Sequence, residues 1–330
     1  MRVGIISFAH GHAYAYAEAL KKSKGVELVG IADDQEIRGA EVAKKYSTNY
    51  YSNYEDLLDQ DIDAVIITSE NYKHHEHVLA AAKKGKHVLC EKPIATNRKD
   101  ALEMMEVCKE NNVFLQIAFP VRFSTPIVKA KHIIETGELG SIIAIKGTNR
   151  GTNPGGWFVD KEKSGGGAVM DHTVHLVDIM RWYMNSDVKE VYAEVDNLFS
   201  DYEIDDCGIV TMEFENNVFA SIDCSWSRNK TFPTWGDVTL EIIGTKGTLS
   251  VDAFAQKSEL YSAEGAKWDY WGDDMNQALV EDFVTNVQKG IAPTITGEDG
   301  LKAMEVALAG YESAQSKRPV LIEKIESNNQ

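Results

Sequence analysis

The first third of the chain alternates short apolar runs with amphipathic stretches. Val3-Gly4-Ile5-Ile6-Ser7 and residues 26–32, 64–68, 87–90 and 113–118 are near-continuous apolar segments of strand length. Between them, residues 13–22, 37–46, 78–84 and 101–111 carry apolar side chains at helical spacing. Strands that are apolar on both faces and separated by helices predict a parallel, doubly wound sheet. The pattern changes near residue 120. Residues 127–135 and 171–185 read as helices, and 188–195, 208–214, 218–226, 238–243 and 248–251 then follow as strands. Turn signals fall at Glu215-Asn216-Asn217 and Gly244-Thr245-Lys246-Gly247. Strands with no helices between them favour an antiparallel sheet. Residues 275–289 and 300–315 read as closing helices, and 326–330 as a loose tail. The expectation is an α/β chain with one domain over residues 1–120 and a second, α+β domain over residues 121–330.

Composition narrows the class. A chain of 330 residues accommodates about two domains, and 43% hydrophobic with 26% charged residues is ordinary globular composition. Lys+Arg of 34 against Asp+Glu of 51 leaves a net charge of −17. Such a surface repels phosphate backbones and anionic lipid, so neither nucleic acid nor membrane is expected as a partner. Cys90, Cys108, Cys207 and Cys224 are scattered, without C-x-x-C spacing, and read as reduced, mostly buried thiols. The N-terminus enters a strand at once without a signal-peptide pattern, and no apolar run reaches the ~18 residues of a membrane span. A cytoplasmic location is expected.

Two segments carry the sharpest chemistry. Glu91-Lys92-Pro93 directly follows an apolar strand, at the carboxyl edge where open α/β sheets bind ligands. Proline holds Lys92 in extended geometry, and a buried lysine readily changes its pKa, which suits proton transfer. Downstream, a triple glycine, Gly165-Gly166-Gly167, leads into Asp171, His172 and His175. Asp171 and His175 stand four apart on an expected helix and so share a face. A carboxylate there orients an imidazole and stabilises its protonated form, and histidine is the natural acceptor for an alcohol proton. The bland alternative is a helix capped by Asp171 with a packed His175.

The loop after the first strand, Phe8-Ala9-His10-Gly11-His12, stands where backbone N–H groups at a helix N-terminus hold a pyrophosphate. G-x-G-x-x-G is missing. Ser7, Ala9 and His12 fill the three glycine places, and His12, at the helix-packing place, is the anomaly. Asp33 ends the second strand, where a carboxylate accepts from ribose hydroxyls and repels a 2′-phosphate. Asp34 adds charge and the nearest cation is Arg38, which favours NAD over NADP. His10 with His12, and His74 with His75 and His77, form two clusters. Neither has a Cys or Glu arrangement completing a tetrahedral site, so no metal is expected; His75 and His77 read as solvated.

Taken in order, these segments resemble the glucose-fructose oxidoreductase / inositol dehydrogenase / MocA family of NAD(P)-dependent sugar and polyol dehydrogenases. The resemblance runs through the opening strand-turn-helix, Thr68-Ser69-Glu70-Asn71 with His74, Glu91-Lys92-Pro93, Arg122-Phe123 with Pro126, Gly137-Glu138-Leu139-Gly140, Trp157-Phe158, the Asp171…His175…Asp178 array and Gly244-Thr245-Lys246-Gly247. It implies an N-terminal Rossmann-type domain and a C-terminal, mostly antiparallel open-faced sheet through which relatives form dimers or tetramers. It implies cofactor contacts from the loop, Asp33, Thr68, Ser69, Asn71, His74, Glu91 and Lys92, and substrate contacts from Arg122, Trp157, Asp171, His172 and His175. Arg122 serves substrate or a structural ion pair, and Trp157 with Phe158 forms a wall over the nicotinamide or plain core. The implied reaction is hydride transfer from a secondary hydroxyl of a sugar, polyol or inositol-like substrate to NAD. Two further readings are NAD-dependent glycoside cleavage through transient oxidation and a non-catalytic cofactor sensor. His172, Thr173 and Pro120 depart from the family pattern and alter the expected substrate pocket.

Overall fold

Six parallel strands carry the first unit of the computed structural model, which describes residues 1–322. They are β1 (Arg2–Ile6), β2 (Glu27–Ala32), β3 (Asn49–Tyr51), β4 (Ala64–Ile67), β5 (His87–Glu91) and β6 (Leu115–Ala118), ordered β3-β2-β1-β4-β5-β6. Helices α1 (His12–Lys22), α2 (Glu36–Tyr46), α3 (Tyr54–Leu58), α4 (His74–Lys83) and α5 (Arg98–Glu110) run between them. Val3, Ile5, Ile66, Ile67, Val88 and Leu89 are fully buried, as strands covered on both faces require. The strand order reverses between β1 and β4, which makes a crevice at their carboxyl ends. The unit comprises Met1–Thr125, Gly155–Gly166 and Gly272–Leu301, so the chain returns to it twice after residue 120. Those returns bring α7 (Lys161–Ser164) and α9 (Met275–Lys289), and Ile117 N–H donates to Ile295 O at 3.3 Å beside edge strand β6. Strand β3 and helix α3 lacked an apolar run to announce them. Tyr51 instead fills the space over Gly30, where a Cβ would stand 2.5 Å from its ring.

The second unit holds α6 (Thr125–Glu135, from Pro126 onward), β7 (Ile142–Thr148), α8 (Ala168–Met184), β8 (Val188–Asp196), β9 (Cys207–Phe214), β10 (Phe219–Asp223), β11 (Thr239–Gly244) and β12 (Gly247–Asp252). The hairpin β13 (Lys257–Ser262) and β14 (Gly265–Tyr270), the part of α10 (Gly297–Ser316) beyond Leu301, and β15 (Val320–Leu321) complete it. Seven strands form one sheet in the order β12-β11-β7-β10-β9-β8-β15. Every pair is antiparallel except β7 with β10, so the mostly antiparallel sheet is mixed at its centre. One face packs on α8. A Cβ on Gly147 would stand 3.0 Å from Leu176 and Met180, and one on Gly208 2.5 Å from Val169. Thirteen of the seventeen α8 residues are buried, so this helix is enclosed rather than laid on a surface. The opposite face exposes Ile209, Phe219 and Ile243 beside polar side chains such as Lys146 and Glu241. Among the described residues no helix is long and apolar enough to cross a membrane. All four cysteines are free thiols, and three are buried. The tail expected at residues 326–330 lies outside the described residues.

Candidate active site

In the first unit the site residues stand on strand ends. Ser7 takes φ +70°, the left-handed conformation that the first glycine of the missing fingerprint would adopt. It is held there by its N–H donating to Ala32 O at 2.7 Å and by Thr68 Oγ1 donating to Ser7 O at 2.6 Å. Phe8 N–H donates to Asp33 Oδ2 at 2.8 Å, Ala9 N–H to Ser7 Oγ at 3.1 Å, and His10 N–H to Thr68 O at 3.0 Å. Gly11 is the N-cap of α1, with no side-chain cap and open space where a Cβ would lie. The tight turn therefore survives without its glycine, and the start of α1 keeps its positive end for an anion.

His12 resolves its anomaly by turning towards β5. Its Nδ1 lies 2.9 Å from Glu91 Oε1, and the Tyr16 hydroxyl, one turn along α1, donates to the same oxygen at 2.6 Å. Lys92 N–H donates to Glu91 Oε2 at 3.1 Å. Burial alone would raise the fully buried Glu91 carboxyl, but His10, His12 and Lys92 outweigh it and hold the group far below the usual carboxylate range. Lys92 is 4% exposed and precedes a cis peptide to Pro93. His74 sits between Pro93 O (2.9 Å) and Ser69 O (3.2 Å), tying two strand ends together, and burial lowers its pKa. Asn71 Nδ2 donates to Ser164 O at 2.8 Å.

One expectation changes here. His77 is buried, with Nδ1 3.1 Å from Ser69 Oγ, and burial pushes its pKa down to about 3. The α4 face that carries it packs inward with Val78 and Ala81, so it is not solvated; His75 is half-buried against Glu103. Asp33 pairs with Arg38, the cation nearest it in the sequence. Arg38 Nε and Nη2 each lie 2.8 Å from its two oxygens, and Lys73 pairs with Asp34 at 2.6 Å. Arg122 is 5% exposed, with Nη1 donating to Thr294 O at 3.4 Å and Nη2 3.6 Å from Asp299. Trp157 Nε1 donates to Ala9 O at 3.1 Å, its ring stacks on Phe158 at 3.8 Å, and Phe158 meets His10 edge-on at 5.4 Å. This pair therefore lies against the dinucleotide loop.

In the second unit the candidate site residues Asp171, His172 and His175 lie on α8. The helix begins at Gly167, whose N–H donates to Asp205 Oδ1 at 2.8 Å, while Val169 N–H donates to Oδ2 at 2.9 Å. Tyr311 donates to the same carboxylate at 3.0 Å. A Cβ on Gly167 would lie 1.9 Å from Asp205 O, so this close approach needs glycine. Asp205 therefore caps the helix, and Asp171, a turn inside it, does not. Asp171 Oδ2 accepts from Trp226 Nε1 at 3.1 Å and stands 3.3 Å from His172 Nε2. His172 Nδ1 lies 3.0 Å from Cys224 O, its ring packed so close to Gly151 that a Cβ there would stand 2.6 Å away. His175 is 4% exposed on the same helix. Asp205, Tyr311, Trp226, Tyr16 and Lys73 carried no local sequence signal, because each acts across tens of residues.

The residues of the first unit fit a dinucleotide: the strand order, the uncapped start of α1, the retained turn at Ser7 and a carboxylate at the end of β2 all suit one. Comparison with known proteins agrees. Residues 1–119 match the NAD-binding Rossmann fold of the GFO/IDH/MocA oxidoreductase family, and residues 127–250 match the GFO/IDH/MocA C-terminal domain. The chain is 30% identical to myo-inositol 2-dehydrogenase of Thermotoga maritima, over 98% of this chain and 99% of that one. It is 28% identical to scyllo-inositol 2-dehydrogenase (NAD(+)) of Bacillus subtilis, over 94% and 93%. Among solved structures, myo-inositol 2-dehydrogenase from Lactobacillus plantarum superposes with a TM-score of 0.87 at 25% identity, covering 98% of this chain and 99% of that one.

Proposed function

Because the chain belongs to the GFO/IDH/MocA family of NAD-binding oxidoreductases, we propose that it oxidises a secondary hydroxyl of a sugar, polyol or inositol-like substrate. NAD, when bound, supplies the hydride acceptor. Lys92 donates a hydrogen bond to the reacting oxygen and lowers the cost of its developing negative charge. His175 takes the hydroxyl proton, Asp171 stabilises the charged imidazole, and His172 and Arg122 contact substrate hydroxyls. The observation that carries this reading is Lys92, 4% exposed at the carboxyl end of β5, beside the buried Glu91 carboxylate, which is held well below the usual carboxylate range. The test is a panel of inositols, sugars and polyols incubated with NAD and followed by NADH absorbance. Reduction of NAD by at least one cyclic polyol or sugar is expected; silence across the panel sinks the proposal.

The open face of the second unit's sheet supports assembly into a homodimer or homotetramer. Phe219 is 59% exposed, Ile209 48% and Ile243 38%, apolar side chains along this face that a second copy would cover. Light scattering should give at least twice the 36.7 kDa chain mass. A soluble monomer refutes this interface and leaves the chemistry untouched. The four free thiols favour the cytoplasm.

A further inference from the structure

The geometry points to a divalent transition-metal site at the dinucleotide loop, built from His10, His12 and Glu91 and suited to an ion such as Zn2+. One ligand atom from each of these side chains lies within 4.8 Å of the other two, and no other His/Cys/Asp/Glu group among the described residues meets that spacing. Two imidazoles and a carboxylate form a donor set that zinc takes, with a fourth position left for water or another ligand.

Three observations separate this cluster from a chance meeting of polar groups. Glu91 is fully buried and His10 is 6% exposed, while the His12 side chain, at 31%, leaves a path from solvent. The carboxylate is already oriented from behind, by the Tyr16 hydroxyl at 2.6 Å and the Lys92 N–H at 3.1 Å, as outer partners orient metal ligands. Phe158 and Trp157 lie against His10 at 5.4 and 6.2 Å between ring centres and limit water on that side. An ion here would stand in place of the direct contact between His12 Nδ1 and Glu91 Oε1 at 2.9 Å. The residue standing in the third glycine place thus acquires a use of its own. The site does not depend on the polyol reading, because its test needs no substrate.

The experiment is a calorimetric titration of chelator-stripped full-length protein with zinc chloride, compared with His10→Ala, His12→Gly and His75→Ala variants. One ion per chain is expected for the wild type and for His75→Ala, whose histidine sits apart beside Glu103. His10→Ala and His12→Gly should each weaken binding at least tenfold, with circular dichroism showing that they fold. His12 is half-exposed, and glycine restores the fingerprint at that place, so His12→Gly is the variant most certain to fold. No binding by the wild type, or equal binding by His12→Gly, overturns the proposal. Loss in His75→Ala with retention in His12→Gly also overturns it by moving the ion to the surface of α4.

Discussion

The two units position their candidate site residues by different means. In the first, Lys92, Asp33 and the Ser7–His12 loop stand at the carboxyl ends of parallel strands, and the sheet itself fixes where they are. In the second, Asp171, His172 and His175 ride on one enclosed helix whose start is set by Asp205, far along the chain. A strand end is positioned by its neighbours in the hydrogen-bonded ladder. The register of a helix terminus depends on whatever accepts its first N–H groups. The first device tolerates changes in the loop, as the lost glycines show; the second concentrates its accuracy in a single carboxylate.

Substitutions can break this contrast. Lys92→Ala should leave NAD affinity within a few fold and lower turnover by roughly two to four orders of magnitude, the range for an acid-base or oxyanion contributor. Stopped-flow turnover beside a fluorescence titration checks it. If more than about a tenth of the activity persists, Lys92 is structural. Asp205→Ala should destabilise the chain by about 2–4 kcal/mol, because a helix cap is lost while two N–H groups and the buried Tyr311 hydroxyl lose their acceptor. Urea unfolding measures this, and Asp205→Asn, which keeps one acceptor, should recover part of it.

A third test sharpens the comparison through pH. His77 has a folded pKa of about 3, below its unfolded value near 6.5, so the folded state favours the neutral ring. Its contribution to stability is complete above pH ~6.5 and is lost progressively as pH falls towards 3, because the unfolded chain takes up the proton first. Lys73 and His74 press in the same direction, while Asp34 opposes them. Urea midpoints across that range should therefore fall less steeply in His77→Gln than in the wild type; parallel slopes would place the acid sensitivity elsewhere. The smallest effect is expected from Ser7→Gly. It relieves a left-handed serine and should stabilise the chain by about 1 kcal/mol, net of the lost Ser7 Oγ bond to Ala9 N–H. A thermal melt that moves downward would show that the hydroxyl matters more than the strain.

Much of the architecture was legible because its signals are local. The apolar runs before Ser7, Asp33, Thr68 and Lys92 marked strands whose ends had to meet at one edge, and the change of pattern near residue 120 marked a different sheet. Less was legible where contacts span distance. Nothing near Glu91 announces Tyr16 or His12, and nothing near Gly167 announces Asp205. His77 looked solvated because helical spacing alone does not say which side of α4 meets the sheet. The parallel pairing of β7 with β10 joins strands more than seventy residues apart, and no turn signal encodes it.

The two-pronged contact between Arg38 and Asp33 bears on how this chain could change over evolutionary time. A guanidinium stands beside the carboxylate that closes β2, the group that the proposed function sets against the adenosine ribose. Replacing Asp33 by a small neutral residue would lessen the repulsion towards a 2′-phosphate and leave the planar Arg38 guanidinium with Asp34, 3.6 Å away, as its remaining acidic neighbour. On that reading the step between the two nicotinamide currencies is short: one codon, with a planar cation already beside that strand end.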